Sequence, residues 1–154
     1  MEEPEAALAR YATELADAVD AAVPGWVERC VRRVLTAQGI AVTPEVEAQA
    51  RAAGTAAREA GIPALRTLLA TDIDEQVGTP LAMLRPLVRY PTEVLRATGA
   101  TPVARDEFAT RSFSDDMYDL TPASFADVAP ELQEPGLAWG AAKAYVHLSR
   151  RRRQ

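Results

Sequence analysis

The chain has 154 residues, which is enough for one domain with its own core but cramped for two. Its net charge of −5 is modest, and 31 of its residues are alanine, so we expect a thin core of closely approaching helices. A single cysteine, Cys30, excludes an intramolecular disulfide and argues against a cysteine-based metal site.

The sequence has no run of about 18 apolar residues that could span a bilayer. Its first residues are acidic, where a signal peptide requires a basic region. We therefore expect a cytoplasmic protein without membrane contact.

The first 39 residues predict two amphipathic helices. Apolar residues recur at spacings of three and four over residues 4–22, namely Leu8, Tyr11, Leu15, Val19 and Ala22. Pro24 predicts a break or bend and suits the first turn of a second helix, which Gly39 caps. We expect this helical pair, residues 1–39, to mediate self-association.

A third helix is predicted to begin at Thr43, which is a suitable N-cap ahead of Pro44. Its apolar face is mostly alanine, and Gly54 would let a neighbouring helix approach closely. We expect Gly61 to end this helix and a short fourth helix to span residues 63–73.

The densest run of large aliphatic side chains lies in Thr79–Gly99. Pro86 would kink or stop a helix there, and Pro91 would restart a short one that Gly99 closes. We expect this segment to be a buried centre on which the other helices pack.

Short, proline-punctuated helices are predicted between residues 106 and 130, followed by a last helix that starts near Pro135. The last helix has apolar residues on two neighbouring faces: Leu137, Ala141, Ala144 and Leu148 on one, and Trp139, Ala142 and Val146 on the other. No segment alternates as a strand would. The sequence therefore predicts an irregular all-α domain of six to eight helices over residues 1–154, with a basic tail at 150–154.

Motifs for enzyme chemistry are absent from the sequence. It contains neither of the glycine-rich phosphate loops, nor G-x-S-x-G, H-E-x-x-H or C-x-x-C. His147 is the only histidine, and the acids Asp115, Asp116 and Asp119 lack the glycine and the late glutamate of a calcium loop. We predict no catalytic, cofactor-binding or metal-binding residue, and no cofactor.

The leading hypothesis is a non-enzymatic protein–protein interaction or adaptor module, which binds a protein partner or a second copy of itself. Exposed aromatic and arginine side chains are frequent anchors of such contacts. The candidate contact residues are Trp26, Tyr118, Trp139, Arg150, Arg151, Arg152 and Arg153.

Two alternatives use other features of the chain. The four arginines could contact nucleic-acid phosphates, although the rest of the chain is acidic and has no row of stacking aromatics. An aromatic-lined pocket for a small molecule could instead form among Leu84, Tyr90, Phe113, Tyr118 and Trp139.

Overall fold

The computed structural model describes residues 2–71, 85–102 and 129–154. These ranges contain four α-helices, α1 (Pro4–Ala37), α2 (Pro44–Thr71), α3 (Arg89–Ala97) and α4 (Gln133–Arg153). Short 3₁₀ helices, Arg85–Val88 and Pro130–Leu132, precede the last two. The described residues contain no strand, so the all-α prediction is confirmed for them. The short helices predicted between residues 106 and 130 lie outside the described ranges.

Residues 4–37 form one helix, so the predicted helical pair in residues 1–39 is wrong. A proline inside a helix removes one backbone hydrogen bond and costs about 3 kcal/mol. Around Pro24, however, Val23, Trp26 and Val27 are at most 3% exposed. Each such side chain contributes roughly 1.5–3 kcal/mol on burial, which more than offsets the local cost. The buried face of α1 packs against other helices of the same chain. Self-association through residues 1–39 stays a prediction.

Helix α2 is also longer than predicted, because it runs through Gly61 and Pro63 to Thr71. Buried Ile62, Leu65 and Leu69 continue its apolar face beyond both residues. Its start is as predicted: the hydroxyl of Thr43 accepts a hydrogen bond from the Val46 amide at 3.2 Å, as an N-cap should.

Helices α1 and α2 form an antiparallel hairpin. A side chain at Gly54 would place its Cβ 2.9 Å from the Cα of Pro24, so the two backbones are nearly in contact there. The predicted close approach at Gly54 is confirmed, and the glycine leaves room for the proline that α1 retains. Exposed ion pairs link the two helices on both sides of this contact: Asp17–Arg66 (2.7 Å), Asp20–Arg58 (3.6 Å), Glu28–Arg51 (3.8 Å) and Arg32–Glu47 (3.6 Å).

Helix α1 contacts each of the other three α-helices and is the centre of the packing. The prediction that Thr79–Gly99 forms a buried centre is met only in part. Helix α3 does lie in this segment and packs on α1 and α2 with buried Val94 and Leu95. Helix α4 packs along α1, whose long apolar face it shares with α2.

A side-chain clamp ties the end of α1 to the chain that leaves α3. The amide of Gln38 donates to the Thr101 carbonyl at 2.7 Å and accepts from the Thr101 backbone N–H at 2.8 Å. Gly39 and Gly99 close α1 and α3 with φ of 69° and 81°, as predicted for helix C-caps. None of the described helices is long and apolar enough to cross a membrane.

Candidate functional site

Helix α4 presents one face to α1 and the opposite face to solvent. On the inner face Trp139, Lys143 and Val146 are buried, at a spacing of four and three. Of the two apolar faces that the sequence shows, the structure therefore buries the one that carries Trp139 and Val146. The other face remains outside, because a helix that packs on one neighbour buries only one stripe.

The exposed apolar residues of α4 are the candidate functional site. Leu137 is 68% exposed, Tyr145 59% and Leu148 50%, and Ala141 is exposed between them. Positions 137, 141, 145 and 148 fall on one side of an α-helix, and we call these four residues the outer stripe. Every large hydrophobic side chain that is exposed in the described part of the chain belongs to it.

The outer stripe has charged residues at its two ends. Glu134 lies in the first turn of α4 and Arg152 in the last, and both are exposed. They are 18 residues apart, which is five helical turns, so they share one direction around the helix axis. The face as a whole therefore runs from an acid, through apolar residues, to a base.

The arginines predicted as a basic tail belong to α4, which continues to Arg153. Consecutive helical residues point about 100° apart, so these four side chains spread around the helix instead of sharing one surface. Arg150 points back to α1, where it pairs with Glu5 at 3.6 Å. Arg151, Arg152 and Arg153 are exposed. Cations at a helix C-terminus also stabilise the helix dipole.

Neither tryptophan is available as an exposed contact residue. Trp26 is 3% exposed, so it does not offer the exposed aromatic surface expected of a contact residue. Because α1 does not break at Pro24, Trp26 falls on the continuous buried stripe of that helix. Trp139 is 4% exposed and packs beneath the Lys143 ammonium, whose nitrogen lies 4.9 Å from its ring. Tyr118, the third predicted contact aromatic, lies outside the described residues.

Three of the five residues predicted to line a pocket, Leu84, Phe113 and Tyr118, lie outside the described ranges. Tyr90 is half-buried, and its hydroxyl accepts a 2.9 Å hydrogen bond from Arg89, which raises the pKa of that guanidinium. A shallow depression of about 50 Å³ does occur between α1 and α2. Small-molecule sites typically need about 300–1,000 Å³, so this depression does not fit one.

No group of three or more His, Cys, Asp or Glu side chains in the described ranges could hold a metal ion. Cys30 is buried in the α1 face, as a small core residue.

The sequence shows the separate pieces of the outer stripe but not its role. Leu137, Ala141 and Leu148 can be read as one face, whereas Tyr145 is missed. The available signal is that α4 carries apolar residues on two faces, which is more than packing on one helix requires. Comparison of the chain with models of known protein families, with characterised proteins and with solved structures finds no match.

Proposed function

We propose that this protein is a non-enzymatic interaction module that binds a protein partner through the outer stripe of α4. The observation that carries the proposal is the gathering of the exposed large hydrophobics of the described residues on one face of one helix. Scattered exposed apolar residues are ordinary on protein surfaces, but a contiguous group with charged ends is typical of a binding surface.

The energy available from this surface fits a reversible contact. Full burial of a large apolar side chain contributes roughly 1.5–3 kcal/mol, and Leu137, Tyr145 and Leu148 each have at least half of their surface exposed. Covering them would contribute roughly 3–5 kcal/mol from this side of the interface. Association itself costs at least about 4 kcal/mol, so the partner must bring a comparable apolar surface.

The proposal includes a single helical domain of six to eight helices over residues 1–154 and a cytoplasmic location. Partner binding needs no cofactor. The nucleic-acid alternative receives less support, because the four arginines spread around α4 and Arg150 is paired with Glu5.

Photo-crosslinking inside cells that produce the protein tests the proposal. A benzophenone amino acid replaces Tyr145 in the outer stripe or, as a control, the exposed Gln49 on α2. We expect a discrete covalent protein adduct from position 145 and none from position 49. If position 145 yields no protein adduct of any size, the interaction proposal is wrong.

A further inference from the structure

We infer that the partner of the outer stripe is a second copy of this chain, which binds with its α4 antiparallel to the first. This inference rests on the proposed function and adds the identity and the orientation of the partner. Its basis is that the outer face of α4 is complementary to itself, in both charge and shape, when one copy is turned end to end.

The charges define the orientation. Glu134 and Arg152 point in the same direction from α4, about 27 Å apart along its axis. In an antiparallel pair with its two-fold axis at the level of residue 143, residue i of one copy faces residue 286 − i of the other. Glu134 then faces Arg152 of the other copy, and a two-fold axis makes this contact twice. A parallel pair would place like charges together at both ends.

The apolar residues agree with the same register. Tyr145 of one copy faces Ala141 of the other, so the largest side chain of the outer stripe meets the smallest. Leu148 of one copy lies at the level of Leu137 and Ala138 of the other copy. Alternation of large and small residues across the axis allows the helices to interdigitate, as ridges into grooves require. Antiparallel alignment also brings opposite ends of the two helix dipoles together.

The expected dimer is weak and reversible. Two helices of about five turns bury less than the roughly 1,600 Å² of a standard interface. We therefore expect a dissociation constant on the order of tens of micromolar or higher, with dimers that separate on dilution.

The test is a charge exchange between copies, measured by sedimentation velocity over a range of concentrations. E134R places arginine against Arg152 of the other copy, and R152E places glutamate against Glu134. Each variant alone should dimerise about tenfold more weakly than the native chain, because two attractive contacts become repulsive. In an equimolar mixture, the two variants form a heterodimer in which both contacts again join opposite charges. The mixture should regain most of the native affinity.

Matched controls separate this effect from a general change of charge or fold. E59R reverses an exposed carboxylate on α2, away from the outer stripe, and should dimerise as the native chain does. Far-ultraviolet circular dichroism of each variant reports whether the total helix content of the native chain is retained.

Two results would overturn the inference. One is a native chain that stays monomeric at the highest protein concentration of the sedimentation series. The other is a mixture of E134R and R152E that binds no better than the separate variants, which would exclude the antiparallel register. The crosslinking experiment separates these failures from failure of the proposed function. An adduct of twice the chain mass supports self-pairing, whereas an adduct with a different protein keeps the interaction module and excludes the second copy as its partner.

Discussion

Replacement of Gly54 by alanine should destabilise the protein, although alanine is the better helix former. The added Cβ would lie 2.9 Å from the Cα, 3.0 Å from the carbonyl oxygen and 3.3 Å from the Cβ of Pro24. Unstrained contacts between carbon atoms lie at about 3.5–4.0 Å. Two of the three atoms belong to the α1 backbone, so relief requires the two longest helices to move apart.

The expected magnitude follows from two opposing effects. Overpacking costs about 1–3 kcal/mol, with the upper half of the range expected against a backbone. The higher helix propensity of alanine offsets up to about 1 kcal/mol of this cost. We expect G54A to lower the free energy of unfolding by about 1–2 kcal/mol.

Gly140 supplies a matched control, because it lies inside α4 and a Cβ there would meet no atom within 4 Å. G140A should stabilise the protein by about 0.5–1 kcal/mol. Urea unfolding at one fixed protein concentration, followed by far-ultraviolet circular dichroism, measures both variants. If G54A proves as stabilising as G140A, the close approach of α1 and α2 at Pro24 is wrong.

Three further predictions each concern one contact that is formed by hydrogen bonds. T43A should lower the free energy of unfolding by about 1 kcal/mol in urea titrations, because α2 loses its N-cap, and an unchanged midpoint would contradict the cap. Q38A removes both bonds of the Gln38 clamp and should accelerate hydrogen exchange at the Thr101 amide; exchange at the native rate would show that the clamp does not protect it. The hydrogen bond from Arg10 lowers the pKa of Glu2, so the stability from this contact is present above the ordinary glutamate pKa and is lost as the pH falls through the lowered value. An NMR titration should show the low midpoint in the native chain and an ordinary one in R10A, and equal midpoints would contradict the contact.

The sequence predicts helix type and helix ends well where the signal is local. The Thr43 N-cap and the Gly39 and Gly99 C-caps depend on side-chain and backbone chemistry within one turn, and the structure contains all three. The small residue at Gly54 likewise predicts a close helix contact correctly. These features can be predicted without knowing which helices pack together.

The predictions that fail depend on tertiary packing. Pro24 locally predicts a helix break and Gly61 a helix end, but whether each helix continues depends on the apolar burial on either side of that residue. This burial becomes visible only when α1 and α2 are placed together, as Val23 and Leu65 show. Similarly, α4 has two apolar faces, and only its position on α1 decides that Trp139 is covered and Tyr145 is not.

Self-pairing through the outer stripe is tested most directly by hydroxyl-radical footprinting of the native chain at high and low protein concentration. If the stripe is covered by a second copy, oxidation of Tyr145 should increase on dilution as the dimers separate. Oxidation of Tyr11, which is half-buried on α1, should stay constant. Equal oxidation of Tyr145 at all concentrations would contradict the pairing of two copies through α4.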